Sequence, residues 1–192
     1  VLGVLRELGY VQDWRLTARG RELIQLFHES DLLVAEALGA GIFDGLDAAS
    51  FAELLSCCTY EHRSPEPPPE PWFPTRQLRD RWLRLERLWR ELSRTETRAG
   101  LDPTRAPDPT FFAIAHGWST GEDLTTVLEE ELVSAGDFVR NAKQLIDLAG
   151  QVANATADAA LAQTAHEAVE GLRRGVGVAG SLDATLDGEV PP

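Results

Sequence analysis

A chain of 192 residues, 43% of them hydrophobic, is long enough to bury a real core as one larger domain or two small ones. A net charge of −13 excludes a broad basic surface for sequence-independent nucleic-acid binding, while leaving room for a narrow basic track inside an acidic shell. Its basic residues are seventeen arginines and one lysine, Lys143, a bias expected from a GC-rich genome.

The opening stretch "VLGVLRELGYVQDWRLTARGRELIQLF" predicts a helix, a short extended turn and a second helix. Leu2, Leu5 and Leu8 form a helical stripe, Gly9 ends it, and Thr17 caps "ARGRELIQLF". "SDLLVAEALGAGIFDGLDAASFAELLSCCTYEHR" then predicts a helical hairpin. Ser30 or Asp31 starts its first helix, Gly39 and Gly41 break it, and Asp47 caps the second. Ile42, Phe43 and Leu46 of the intervening loop should pack inward. The adjacent Cys57 and Cys58 point about 100° apart on a helix, unsuited to a disulfide, and read as buried small side chains.

"SPEPPPEPWFPT", residues 64–75, is expected to be a stiff polyproline II linker pinned by Trp72 and Phe73, or a ligand for a proline-binding module. In the helix predicted over 76–98, Leu78, Trp82, Leu85, Trp89 and Leu92 step 4, 3, 4, 3, a seam for packing on another helix. Eight arginines against four acids make this segment locally +4. Its basic face reads either as Arg–Glu pairs one turn apart or as an edge for RNA or an acidic partner. Asp108 and Pro109 start the next helix, "TFFAIAHGWSTG". "EDLTTVLEEEL" predicts a short helix that "SAG" breaks. An Ala-rich helix comes last, then a frayed acidic tail over 183–192.

Between these, "GDFVRNAKQLIDLAGQV" carries Arg140, Gln144, Asp147 and Gln151 on one helical face, with Lys143 beside them. Val139, Ala142, Leu145, Ile146, Ala149 and Val152 form the opposite apolar stripe. On residues alone, that polar edge is either a solvated surface or a binding track. Enzyme signatures are absent. "GVGVAG" lacks the Lys and Ser/Thr of a phosphate loop and is placed at a helix end. His28, His62, His116 and His166 lack ligand spacing, and "EEE" at 129–131 reads as a solvated face. Without a signal peptide or an apolar run near eighteen residues, the expectation is a soluble cytoplasmic protein. Val1 as first residue and the lack of methionine suggest a piece of something longer.

Three segments in order carry a resemblance. They are "DLLVAEALGAGIFDGLDAASFAELLSCCTYEHR", the Trp-x-x-Gly-containing "AIAHGWSTGEDLTTVL", and "SAGDFVRNAKQLIDLAGQV" followed by "GLRRGVGVAGSL". Together they resemble the DSHCT domain, the C-terminal helical domain of superkiller-type DExH-box RNA helicases, in its bacterial HelY-like branch, from about residue 29 to 182. The resemblance implies an all-α helical bundle over 29–182, preceded by a winged-helix-like remnant over 1–28. It implies no catalysis in this chain, with ATP and Mg held by the motor domains of a parent helicase. The stretch at 136–152 matches the family's ratchet helix, which implies single-stranded RNA contacts at Arg140, Lys143, Gln144, Asp147 and Gln151. Lys143 and Gln144 replace a more basic pair usual in the family, implying a weaker phosphate grip. Its expected partners are RNA, bound weakly by the isolated chain, and the helicase's own RecA-like motor domains, with no membrane and a monomeric state. The alternative from another class is a protein-interaction module that docks onto the motor domains or an RNA-decay partner.

Overall fold

A computed structural model of the chain describes residues 1–62, 67–68, 70–122 and 134–186, with backbone alone at 135 and 174–186. It begins with helix α1 (Leu2–Glu7), strands β1 (Val11–Gln12) and β2 (Arg15–Leu16), and helix α2 (Ala18–Leu23). The two strands pair antiparallel, Val11 with Leu16 and Gln12 with Arg15, across a turn in which Asp13 and Trp14 take positive φ. Thr17 caps α2 by accepting from Gly20 N–H at 3.1 Å. Val4, not Leu2, is the buried residue of α1, and α2 stops at Leu23, leaving Ile24 and Phe27 exposed. Tyr10 and Leu26 join the core of the remaining helices.

The hairpin of α3 (Asp31–Gly39) and α4 (Ala48–Thr59) turns through Ile42, Phe43 and Leu46, all buried, and Asp47 caps α4 by accepting from Ser50 N–H at 2.8 Å. Gly41 takes φ +63° at the bend. Helix α4 is the hub. Every residue from Phe51 to Thr59 is buried, because Ala, Ser and Cys let neighbouring helices approach on all sides. A buried helix end must still satisfy its last carbonyls. Arg105 does this, donating to the carbonyls of Cys58 (2.8 Å) and Tyr60, while Asp108 N–H reaches Cys57 O at 2.8 Å. Burial pushes the Cys58 thiol up to about 12 and Cys57 well above its usual value, so both are inert packing groups.

Helix α5 (Arg76–Arg98), capped by Thr75, buries Leu78, Trp82, Leu85 and Leu92. Trp89 is only half-buried and donates its indole N–H to Thr104 O at 2.8 Å. The basic face is used in two ways. Arg90 pairs with Glu86 one turn away at 2.6 Å, whereas Arg81 and Arg84 donate to the carbonyls of Gly41, Asp44 and Ala40, where α3 ends. Phe73 packs between Trp82 and Phe112, and Trp72 meets the ring of His116 edge-on, so both expected pins are in place. Residues 64–66 and 69 of the expected proline-rich linker lie outside the described residues.

A single 3₁₀ turn, Pro109–Phe111, capped by Asp108, leads into α6 (Phe112–Thr120). All but the first residue of the helix expected over "EDLTTVLEEEL", its acidic run included, also falls outside the described residues. Ser134 caps α7 (Ala135–Ala155), so this helix begins one residue before Gly136. After the turn at 156–158 comes α8 (Ala159–Leu186), which packs along α7 and continues through "GVGVAG" without ending there. The helix also takes in Asp183–Leu186, at the start of the expected tail. With one two-stranded sheet among mostly helical residues, the architecture is an all-α bundle. No helix among the described residues is long and apolar enough to cross a membrane.

Candidate nucleic-acid interface

Helix α7 presents the polar edge singled out in the sequence. Its core face is Phe138, Ala142, Leu145, Leu148, Ala149 and Val152, all buried. Val139 and Ile146 are only half-buried, so the true stripe is rotated from the expected one. Periodicity located the stripe but not its centre, because Phe138 and Leu148 compete for the same face and packing against α4 and α8 decides between them.

Four of the five expected contact residues, Arg140, Lys143, Gln144 and Asp147, are exposed along this edge. The fifth, Gln151, is half-buried and already engaged. Its Oε1 accepts from Phe27 N–H at 2.6 Å, and its Nε2 donates to Asp147 Oδ2 at 2.7 Å. Gln151 therefore ties the N-terminal segment to α7 more than it faces solvent, and it holds Asp147 in place. Arg140 bonds Asp137 Oδ1 at 2.7 Å, in a pair more than half exposed on both sides. Such a pair contributes about 1 kcal/mol or less and exchanges readily for another anion.

The edge stands between two depressions. One, of about 390 Å³, lies toward the N-terminal segment and α4, and its walls include Phe27, His28, Glu29, Glu61, Arg140 and Gln144. His28 accepts from Ser30 N–H at Nδ1 (3.1 Å), and burial lowers its pKa, so the ring is neutral at pH 7. The other depression, of about 520 Å³, runs between α7 and α8, with Lys143, Asp147, Asn154 and Arg173 on its walls. Arg173 stays 63% exposed and pairs with Glu170 at 3.6 Å. Sequence reasoning missed Arg173 as a site residue. Its only local signal was the Arg pair of "GLRRGVG", and only the packing of α8 along α7 sets it opposite Lys143.

Two polar clusters away from this edge tie elements of the fold together. Glu53, on the central helix, bonds His116 Nδ1 at 2.5 Å, and burial raises its pKa against the pull of that partner. Glu36 receives both Tyr10 Oη–H (2.5 Å) and Arg19 (2.6 Å), which fastens the N-terminal hairpin to α3. Among the described residues no group of three or more His, Cys, Asp or Glu side chains is placed to hold a metal ion. The edge of α7 is thus two exposed cations set among amides and carboxylates, with a third cation across the groove. Such an arrangement can hold a polyanion loosely.

The model of the DSHCT (NUC185) domain matches residues 13–179, starting inside the N-terminal hairpin and so earlier than about residue 29. The chain is 35% identical over 189 residues to the "Probable helicase HelY" of Mycobacterium tuberculosis (strain ATCC 25618 / H37Rv), covering 91% of this chain and 21% of that protein. To the "Probable helicase HelY" of Mycobacterium leprae (strain TN) it is 35% identical over 190 residues, covering 92% and 21%. To the "Exosome RNA helicase MTR4" of Homo sapiens it is 23% identical over 188 residues, covering 93% and 18%. The chain spans about a fifth of the length of the curated relatives it matches. It belongs to the DSHCT domain family.

Proposed function

We propose that this DSHCT domain is the C-terminal accessory domain of an ATP-dependent DExH-box RNA helicase, and that the exposed edge of α7 lines the path of single-stranded RNA. The supporting observation is the placement of Arg140, Lys143, Gln144 and Asp147. They stand clear of neighbouring helices, between two depressions, on a helix whose other face is locked into the core. Two cations among amides make weak, sequence-blind contacts, which a translocating strand can leave. A dense basic cluster would hold it. ATP and magnesium would be bound by motor domains elsewhere in the longer protein, and this chain would contribute one wall of the channel. Gln151 acts within this wall as the tether of Phe27 and Asp147, in place of a direct contact.

A second reading has its own observation. Trp14 and Leu16 on the N-terminal hairpin and Ile24 just after α2 are exposed, at 78%, 41% and 54%. Those side chains suit docking against the motor domains, which a channel wall requires in any case. The two readings separate at Arg140, which is remote from that apolar group in sequence and lies on the α7 edge. In the full-length helicase, Arg140→Ala should lower RNA unwinding and RNA-stimulated ATPase. Unwinding equal to the parent would mean that the strand does not run along α7.

A further inference from the structure

Helix α5 carries more positive charge than the fold uses. Of its eight arginines, Arg81 and Arg84 donate to carbonyls where α3 ends, Arg90 pairs with Glu86, and Arg98 pairs with Glu7 at 2.8 Å. Arg76, Arg79, Arg87 and Arg94 remain, all exposed and, among the described residues, without a hydrogen bond or ion pair. They stay unmatched in a chain that has 31 acidic against 18 basic residues. The first turn of α5 holds no acid and begins at Arg76, the helix end where the dipole favours an anion. Arg76, Leu83, Arg87 and Arg94 follow one another at steps of 7, 4 and 7, so they share an arc of about 40° and form a ridge about 27 Å long. Leu83, inside that ridge, is 42% exposed. Arg79 and Arg90 flank the ridge on one side, Asp80 and Glu91 on the other.

We propose that this ridge docks an acidic helix of a protein partner, with an apolar side chain seated on Leu83 and carboxylates paired with Arg76, Arg87 and Arg94. Charge complementarity selects the acid, and the planar guanidinium fork suits carboxylates. The spacing selects a helix, because a second α-helix repeats its side chains at the same steps and can meet all four residues at once. A nucleic-acid backbone fits worse. Its phosphates would lie over the apolar Leu83 and beside the exposed carboxylates of Asp80 and Glu91. A protein helix can turn a lysine or arginine toward those two acids, which also fixes its register. Because α5 packs on α3 and α4 while α7 packs on α4 and α8, the ridge is a second surface, independent of whether RNA follows α7. Exposed ion pairs are individually weak, so binding needs several of them together with the burial of Leu83, and it falls with added salt.

The test is fluorescence anisotropy of the 192-residue chain with a labelled helical peptide carrying Glu, Glu, Leu and Glu at the 7, 4 and 7 spacing of the ridge, so that it matches α5 antiparallel. A second peptide has lysine in place of each glutamate. The glutamate peptide should bind wild type, and the lysine peptide should not. Arg87→Glu combined with Arg94→Glu should weaken the glutamate peptide about 10-fold and gain the lysine peptide. Leu83→Ala should weaken the glutamate peptide about 5-fold. Arg140→Ala should leave both peptides as in wild type. Circular dichroism should be the same for all variants, since the substituted side chains are exposed. No binding at millimolar glutamate peptide, or binding that the charge reversal does not alter, overturns the proposal. Loss on charge reversal without loss on Leu83→Ala would mean unspecific attraction with no seated helix, and the proposal falls. If the charge reversal weakens oligouridylate as much as the peptide, the ridge is a nucleic-acid surface and the proposal falls as well.

Discussion

Arg140 sits between two acceptors, the carboxylate of Asp137 at 2.7 Å and whatever anion approaches from solvent. Neither its charge nor its stem contributes to the core, so Arg140→Ala should change stability by no more than about 0.5 kcal/mol. Chemical denaturation followed by circular dichroism checks this; a loss above about 2 kcal/mol would make the residue structural. Glu53 is the opposite case, 1% exposed and with Oε2 lacking a hydrogen-bond partner. Burial raises its carboxyl above the usual 4.5, so the folded state binds that proton more tightly than the unfolded chain. Its contribution to stability is then full below about pH 4.5 and is lost as pH rises through the folded value. The stability of wild type relative to Glu53→Gln should fall as pH goes from 4 toward neutrality. A relative stability that is flat or rising over that range would show that pairing with His116 outweighs burial.

At the scale of elements, α5 separates a buried tryptophan from a half-buried one. Trp82 closes the seam against Phe73, and its truncation to alanine should cost roughly 3–5 kcal/mol. Trp89 keeps part of its ring in solvent and gives one hydrogen bond to Thr104 O, so Trp89→Ala should cost less, about 1–3 kcal/mol. Equal losses in urea denaturation would mean that the seam is continuous after all. The helix itself was legible over 76–98 because its period and the preceding prolines agree. The hairpin of α3 and α4 was equally plain from Asp47 and the glycines. The burial of α4 on every side was not, since small residues such as Cys57 and Ser56 carry no periodic mark of a central position. The roles of Arg81, Arg84 and Arg105 were hidden for a different reason. They cap carbonyls 37 to 47 positions away, and no local pattern distinguishes such an arginine from one on a solvated face. The exposed edge of α7 could be read from Arg140, Lys143, Gln144 and Asp147. The engagement of Gln151 by Phe27 could not, because it depends on where the N-terminal segment comes to rest.

Across the whole molecule, a charge of −13 surrounds a track of two or three cations. Long-range repulsion and few released counterions should keep the isolated chain's RNA affinity at or weaker than about 10⁻⁴–10⁻⁶ M. With two phosphates neutralised, log K should fall with log salt at a slope of only about −1.4, measurable by titration at several ionic strengths. A slope steeper than about −3.5 would imply five or more phosphate contacts, more than α7 and Arg173 can supply. The basic face of α5 would then be the source, although Arg81, Arg84 and Arg90 are already engaged within the fold. In the longer helicase a second wall would supply the missing contacts. The most direct measurement is therefore photocrosslinking of 4-thiouridine-containing RNA to the full-length protein, with the crosslinked peptides mapped by mass spectrometry. Crosslinks are expected within Arg140–Gln151; crosslinks confined to residues 76–98 or to other surfaces, with none on α7, would contradict the placement of the strand along this helix.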